Sequence, residues 1–111
     1  MKYCVLINPL SNKSHAQTHV VALLEALLLQ KPQKITLFFY GYAVNLAFIK
    51  HNPWQKLIKQ PTEPVIDLLV CSTVAENYLE NGKQKLPCFQ LAGLGQWLDA
   101  VLDADKFMEI I

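Results

Sequence analysis

Short apolar runs alternate along the chain with longer stretches in which apolar residues recur every three or four positions. Tyr3-Cys4-Val5-Leu6-Ile7, closed by Asn8-Pro9, reads as a first, central strand. From His15 to Gln30 the residues Ala16, Val20, Leu23, Leu24, Leu27 and Leu28 fall at helical spacing. Ser14 and Gln17 form a capping box at the start of that helix, and Lys31-Pro32 stops it. Ile35 to Tyr40 is the second strand, broken by Gly41. Tyr42 to Phe48 predicts one or two helical turns, and Trp54 to Lys59 another short helix before a Pro61–Pro64 linker.

Ile66-Asp67-Leu68-Leu69-Val70-Cys71 follows, apolar enough for a strand buried on both faces. Ser72 and Thr73 are then placed to cap a helix, with Glu76 completing a capping box and Asn81-Gly82 ending it. Lys83 to Pro87 reads as a solvated loop and Phe89-Gln90-Leu91 as a short extended piece. Gly93-Leu94-Gly95 opens a helix with Leu94, Leu98, Val101 and Leu102 on one side and Asp99 and Asp103 nearer water. Phe107 to Ile111 closes the chain as a last strand. Strands alternating with helices predict an α/β fold: a single domain over 1–111, with a parallel sheet flanked by helices on both faces.

Composition narrows the function classes. The apolar share, 52%, exceeds the ordinary 45–50% or so and implies buried subunit surface. Lys supplies all ten basic residues against nine acidic ones, so the chain has no arginine fork for phosphate and no basic excess for nucleic acid. Three cysteines without C-x-x-C spacing describe neither a disulfide framework nor a zinc site, and the reducing cytoplasm is expected. The start lacks a basic segment followed by a long apolar run, so no signal peptide is expected. The greasiest helix, Val20 to Leu29, is too short to span a membrane.

Among the candidate chemical groups, Cys71 stands out by position. It ends a strand at the carboxyl edge of a parallel sheet, where open α/β folds place ligands, and it faces a helix N-terminus that favours a thiolate. Cys4 lies in mid-strand and reads as packing, while Cys88 sits in a loop with nothing near it to activate it. His15 and His19 are four apart, but no third ligand follows at sensible spacing, so no metal site is expected. Gly93-Leu94-Gly95 lacks the further glycine or Gly-Lys of a phosphate loop. A phospho-acceptor domain needs carboxylates at its strand ends, and the first strand ends in Asn8. Tyr40, Tyr42 and Asn45 share the edge with Cys71 and are candidates for a pocket lining or a subunit contact.

Several of these segments together resemble the DsrE/TusD family of sulfur-relay proteins. Phe38-Phe39-Tyr40-Gly41-Tyr42-Ala43-Val44-Asn45 is similar to that family's second strand end and following loop. Leu69-Val70-Cys71 falls where the family carries its persulfide cysteine, and Leu91-Ala92-Gly93-Leu94-Gly95 through Phe107 resembles its C-terminal helix and closing strand. The stretch from Asn45 to Pro64 is shorter than in the thiouridine-pathway members, and Ser72-Thr73-Val74 departs from their small-residue run.

The resemblance implies a flavodoxin-like, DsrE-type fold. It also implies a sulfurtransferase in which Cys71 accepts persulfide sulfur from one protein and passes it to another, as in tRNA 2-thiouridine synthesis or sulfur oxidation. No cofactor is implied, and the partners would be donor and acceptor proteins together with related subunits or further copies of the chain. Two other readings remain open: a non-catalytic subunit of such an assembly, and a flavodoxin-like small-molecule binding module.

Overall fold

Strands apolar on both faces need cover on both sides, and the helices between them supply it. The computed structural model describes residues 1–9, 16–49 and 65–111. Its strands are β1 (Lys2–Ile7), β2 (Lys34–Phe39), β3 (Val65–Cys71), β4 (Phe89–Ala92) and β5 (Lys106–Ile110). The helices are α1 (Ala16–Leu28), α2 (Ser72–Glu80) and α3 (Leu94–Asp103), with a 3-10 helix over Gly41–Phe48 where one or two turns were expected. The Ser14 cap, the Trp54–Lys59 helix and the Pro61–Pro64 linker lie outside the described residues.

The sheet runs β4-β3-β2-β1-β5, and every neighbouring pair is parallel. The central strand is therefore β2, not β1 as the sequence suggested, although β1 is interior, between β2 and β5. From β1 to β4 the chain steps steadily one way, so right-handed crossovers put α1, the 3-10 helix and α2 on one face. The return from β4 to β5 crosses the whole sheet and puts α3 on the other.

Strand alternation assigns the side chains. Val5, Ile7, Ile35, Leu37, Phe39, Leu68 and Val70 form the wall under α1 and α2 and are almost wholly buried. There Phe39 meets Phe89 edge to face, with ring centroids 5.0 Å apart. On the α3 side Cys4, Thr36 and Phe38 are covered by the helix, with Trp97 lying on Phe38 at 5.1 Å. The Cys4 thiol donates to the Ala100 carbonyl oxygen at 3.1 Å.

Helix ends follow local chemistry. α1 stops where Lys31 takes a left-handed backbone (φ 53°) and Pro32 follows. α2 ends in a Schellman turn: Gly82, at φ 78°, donates its N–H to Leu79 O, and Lys83 donates to Tyr78 O. The loop after it is tied back by Leu86 N–H donating to Ala47 O at 2.8 Å.

Candidate functional site

β3 delivers Cys71 to the carboxyl edge of the sheet, and α2 starts at the next residue. Cys71 is thus itself the N-cap (φ −57°, ψ 115°). This corrects the expectation that Ser72 and Thr73 cap the helix: they occupy its first two helical positions, so the Thr73–Glu76 capping box is not formed. A side chain at the N-cap faces the unpaired N–H groups of the second and third helical residues, here Thr73 and Val74. The thiol makes no capping hydrogen bond, as a weak sulfur acceptor in its neutral form would not.

Cys71 is 7% exposed, against 1% for Cys4. Its neighbours follow from register. Ala92, also buried, is its partner on β4. Tyr40 stands one residue beyond the pair Phe39↔Val70, as Cys71 does, and its backbone is still extended (φ −127°, ψ 155°). Alternation places both on the α3 side, where the Tyr40 ring stacks on Phe38 at 6.3 Å. Tyr40 N–H continues the ladder by donating to Ile7 O at 3.0 Å.

Tyr42 goes elsewhere. It lines a cleft of about 590 Å³ on the opposite face, between the end of β1, the start of the 3-10 helix and α2. Asn8, Pro9 and Gly41 form one wall of this cleft. Gly41 has φ 58°, and a Cβ there would come within 3.1 Å of Asn8 Oδ1, so only glycine fits without strain or displacement of Asn8. Val74, Asn77, Tyr78 and Asn81 form the other wall, with Lys83 at the rim. Of the residues expected to line a pocket or a subunit contact, Tyr42 lines this cleft, while Tyr40 and Asn45, like Cys71, are not among its described lining residues. The sequence reading missed the α2 wall, although the spacing of 74, 77, 78 and 81 marks a single helical face.

The other cysteines differ in setting. Burial pushes the Cys4 thiol above its ordinary range, partly offset by Thr36 and Lys34. Burial also raises half-buried Cys88, with its own backbone and Lys85 acting the other way. His19 is exposed on α1 and His15 lies outside the described residues. Among the described residues no group of three metal-ligating side chains converges, and no helix is long and apolar enough to cross a membrane.

No sequence-family model and no curated protein matches the chain. Among solved structures, the fold is similar to the crystal structure of the ychN protein from E. coli. The two superpose with a TM-score of 0.72 over 98% of each chain, at 17% sequence identity. The likeness concerns the fold: a five-stranded parallel α/β sheet with helices on both faces.

Proposed function

We propose that this protein is a persulfide carrier in an intracellular sulfur relay, of the kind that serves tRNA thiolation or sulfur oxidation. The observation that carries the reading is a cysteine at the N-cap of α2, a position where Ser, Thr, Asp or Asn ordinarily serves. There a sulfur anion gains from two backbone donors and the helix dipole. In loading, the Cys71 thiolate attacks the outer sulfur of a donor persulfide, R–S–SH. The new bond joins Cys71 Sγ to that sulfur, the donor S–S bond breaks, and R–S⁻ departs with the electron pair. In delivery, an acceptor thiolate attacks the outer sulfur of Cys71–S–SH in the same way and Cys71 returns as thiolate. No net oxidant and no cofactor is needed.

The small exposure of Cys71 means that donor and acceptor approach along the sheet edge past Tyr40. Three free cysteines suit a reducing cytoplasm. Leu94, Leu98 and Leu102, at 63%, 58% and 84% exposure, leave an apolar row on α3 that supports assembly with related subunits or further copies.

Mass spectrometry after incubation with a persulfide donor tests the proposal. One added sulfur per chain is expected in the wild type, in Cys4→Ala and in Cys88→Ser, and none in Cys71→Ser. Sulfur retained by Cys71→Ser would leave the non-catalytic subunit as the better account.

A further inference from the structure

The cleft between the end of β1 and α2 lies on the opposite side of the sheet from the Cys71 side chain, which is not among its described lining residues, and the sulfur transfer proposed above makes no use of it. We infer that it is a separate binding site for a flat ring with a hydrogen-bonding edge and one anionic group. Nucleoside monophosphates and aromatic carboxylates share that chemistry. Its volume of about 590 Å³ lies within the ordinary range of small-ligand pockets, roughly 300–1,000 Å³.

The lining decides the ligand class. Lys83 is the one charged residue among the described lining residues, and no carboxylate balances it there, so the site favours an anion. The lysine is held at the rim with Nζ 5.3 Å from the centre of the Tyr78 ring. That ring is braced by stacking on Phe48 at 4.9 Å and 12°. Tyr42, 54% exposed, offers an aromatic surface on the opposite wall.

Asn8 and Asn77 supply both donors and acceptors, and their carboxamides carry no hydrogen bond from other described residues. Asn81 Nδ2 is already used, donating to Asn77 O at 2.7 Å. Paired carboxamides of this kind match the edge of a heterocycle or an amino-substituted ring. The left-handed Gly41 keeps space for the Asn8 amide on the cleft wall.

Titration calorimetry on the full chain, with adenosine monophosphate, 2-aminobenzoate, adenosine and inorganic phosphate as probes, tests the inference. Saturable binding is expected for at least one of the first two, tighter than for adenosine or phosphate alone. A preference between the first two separates the nucleotide source from the aromatic carboxylate. Lys83→Gln should weaken that binding by about tenfold, the equivalent of roughly 1.4 kcal/mol. Asn77→Leu should weaken it as well, while Lys106→Gln and Cys71→Ser should not. Absence of saturable binding for both ring-bearing anions overturns the inference, as does equal affinity in the wild type, Lys83→Gln and Asn77→Leu. Circular dichroism of each variant confirms that a loss is not unfolding. Because Cys71→Ser keeps the cleft intact, this result and the sulfur-loading result are read independently.

Discussion

Tyr40 and Cys71 occupy matching positions at the carboxyl edge, each one residue beyond the register pair Phe39↔Val70 and on the same side of the sheet. Tyr40 is 39% exposed and Cys71 7%, so of these two edge residues the tyrosine presents the larger surface to solvent. Tyr40→Ala should therefore speed alkylation of Cys71 by iodoacetamide, followed by peptide mass spectrometry. Tyr42→Ala, in the cleft on the other face, should leave the rate unchanged. Equal rates in all three proteins would show that Tyr40 does not guard the thiol.

Trp97 is the residue that fixes α3 to the sheet. It is 8% exposed, lies on Phe38 at 5.1 Å and meets Phe107 at 5.9 Å. Trp97→Ala removes this wedge and should cost about 3–5 kcal/mol in urea unfolding. Against a total stability of roughly 5–15 kcal/mol, that brings the variant near its threshold. A loss below about 0.5 kcal/mol, the usual size of a surface effect, would mean that α3 is held by other contacts.

The same helix shows where sequence reading reached its limit. Helical spacing placed Leu94, Leu98, Val101 and Leu102 on one side; the three leucines do share a face, but that face is turned outward, and Val101 lies on the other. Trp97, Ala100, Val101 and Ala104 form the inner stripe instead. Hydropathy alone does not say which of two apolar stripes meets the sheet; the bulk of Trp97 against Phe38 does. The strands were legible because a run such as Leu68-Leu69-Val70 has no soluble alternative to burial. The position of Cys71 was also legible, since strand and helix patterns meet there. The cap was not: whether a helix starts at 72 or 73 turns on one peptide's ψ, which the residue types leave open. Tyr40 and Tyr42 are two residues apart, yet the left-handed turn at Gly41 sends them to opposite faces.

If the outward leucine row is a subunit contact, Leu94→Glu with Leu98→Glu should convert an oligomer into monomer in sedimentation velocity at micromolar concentration. The thermal midpoint of the monomeric fold should move little, because exposed positions tolerate charge within about 0.5 kcal/mol. A wild type that already sediments as a monomer would remove the assembly part of the proposal.

Cys4 gives the stability profile an alkaline edge. Its thiol is pushed above the ordinary value of 9.0, first by burial, so the folded protein holds that proton more tightly than the unfolded chain. Its contribution is complete below pH 9.0 and is lost as pH rises through the higher folded value. Urea midpoints should fall between pH 9 and 11 in the wild type and fall less in Cys4→Ala, whose neutral-pH midpoint is lower because a small cavity is left. Parallel curves for the two proteins would assign the alkaline loss to other groups.

The two accounts of Cys71, carrier and packing residue, part most clearly in Cys71→Ser. A hydroxyl at the N-cap accepts from the Thr73 or Val74 N–H, which the neutral thiol does not do, and such a cap contributes about 1 kcal/mol. Burying a hydroxyl costs free energy only where it lacks a partner, and here the helix end supplies one. The substitution should hold or raise the midpoint of urea unfolding while abolishing the gain of one sulfur from a persulfide donor. A residue kept for packing behaves the other way: Cys71→Ser would lose stability, and sulfur loading, if any, would persist at another thiol. Cys71→Ala separates cap from volume, since it removes the sulfur without adding an acceptor and should be the less stable of the two variants. Loss of stability in Cys71→Ser equal to that in Cys71→Ala would count against the N-cap geometry on which the sulfur-carrier proposal rests.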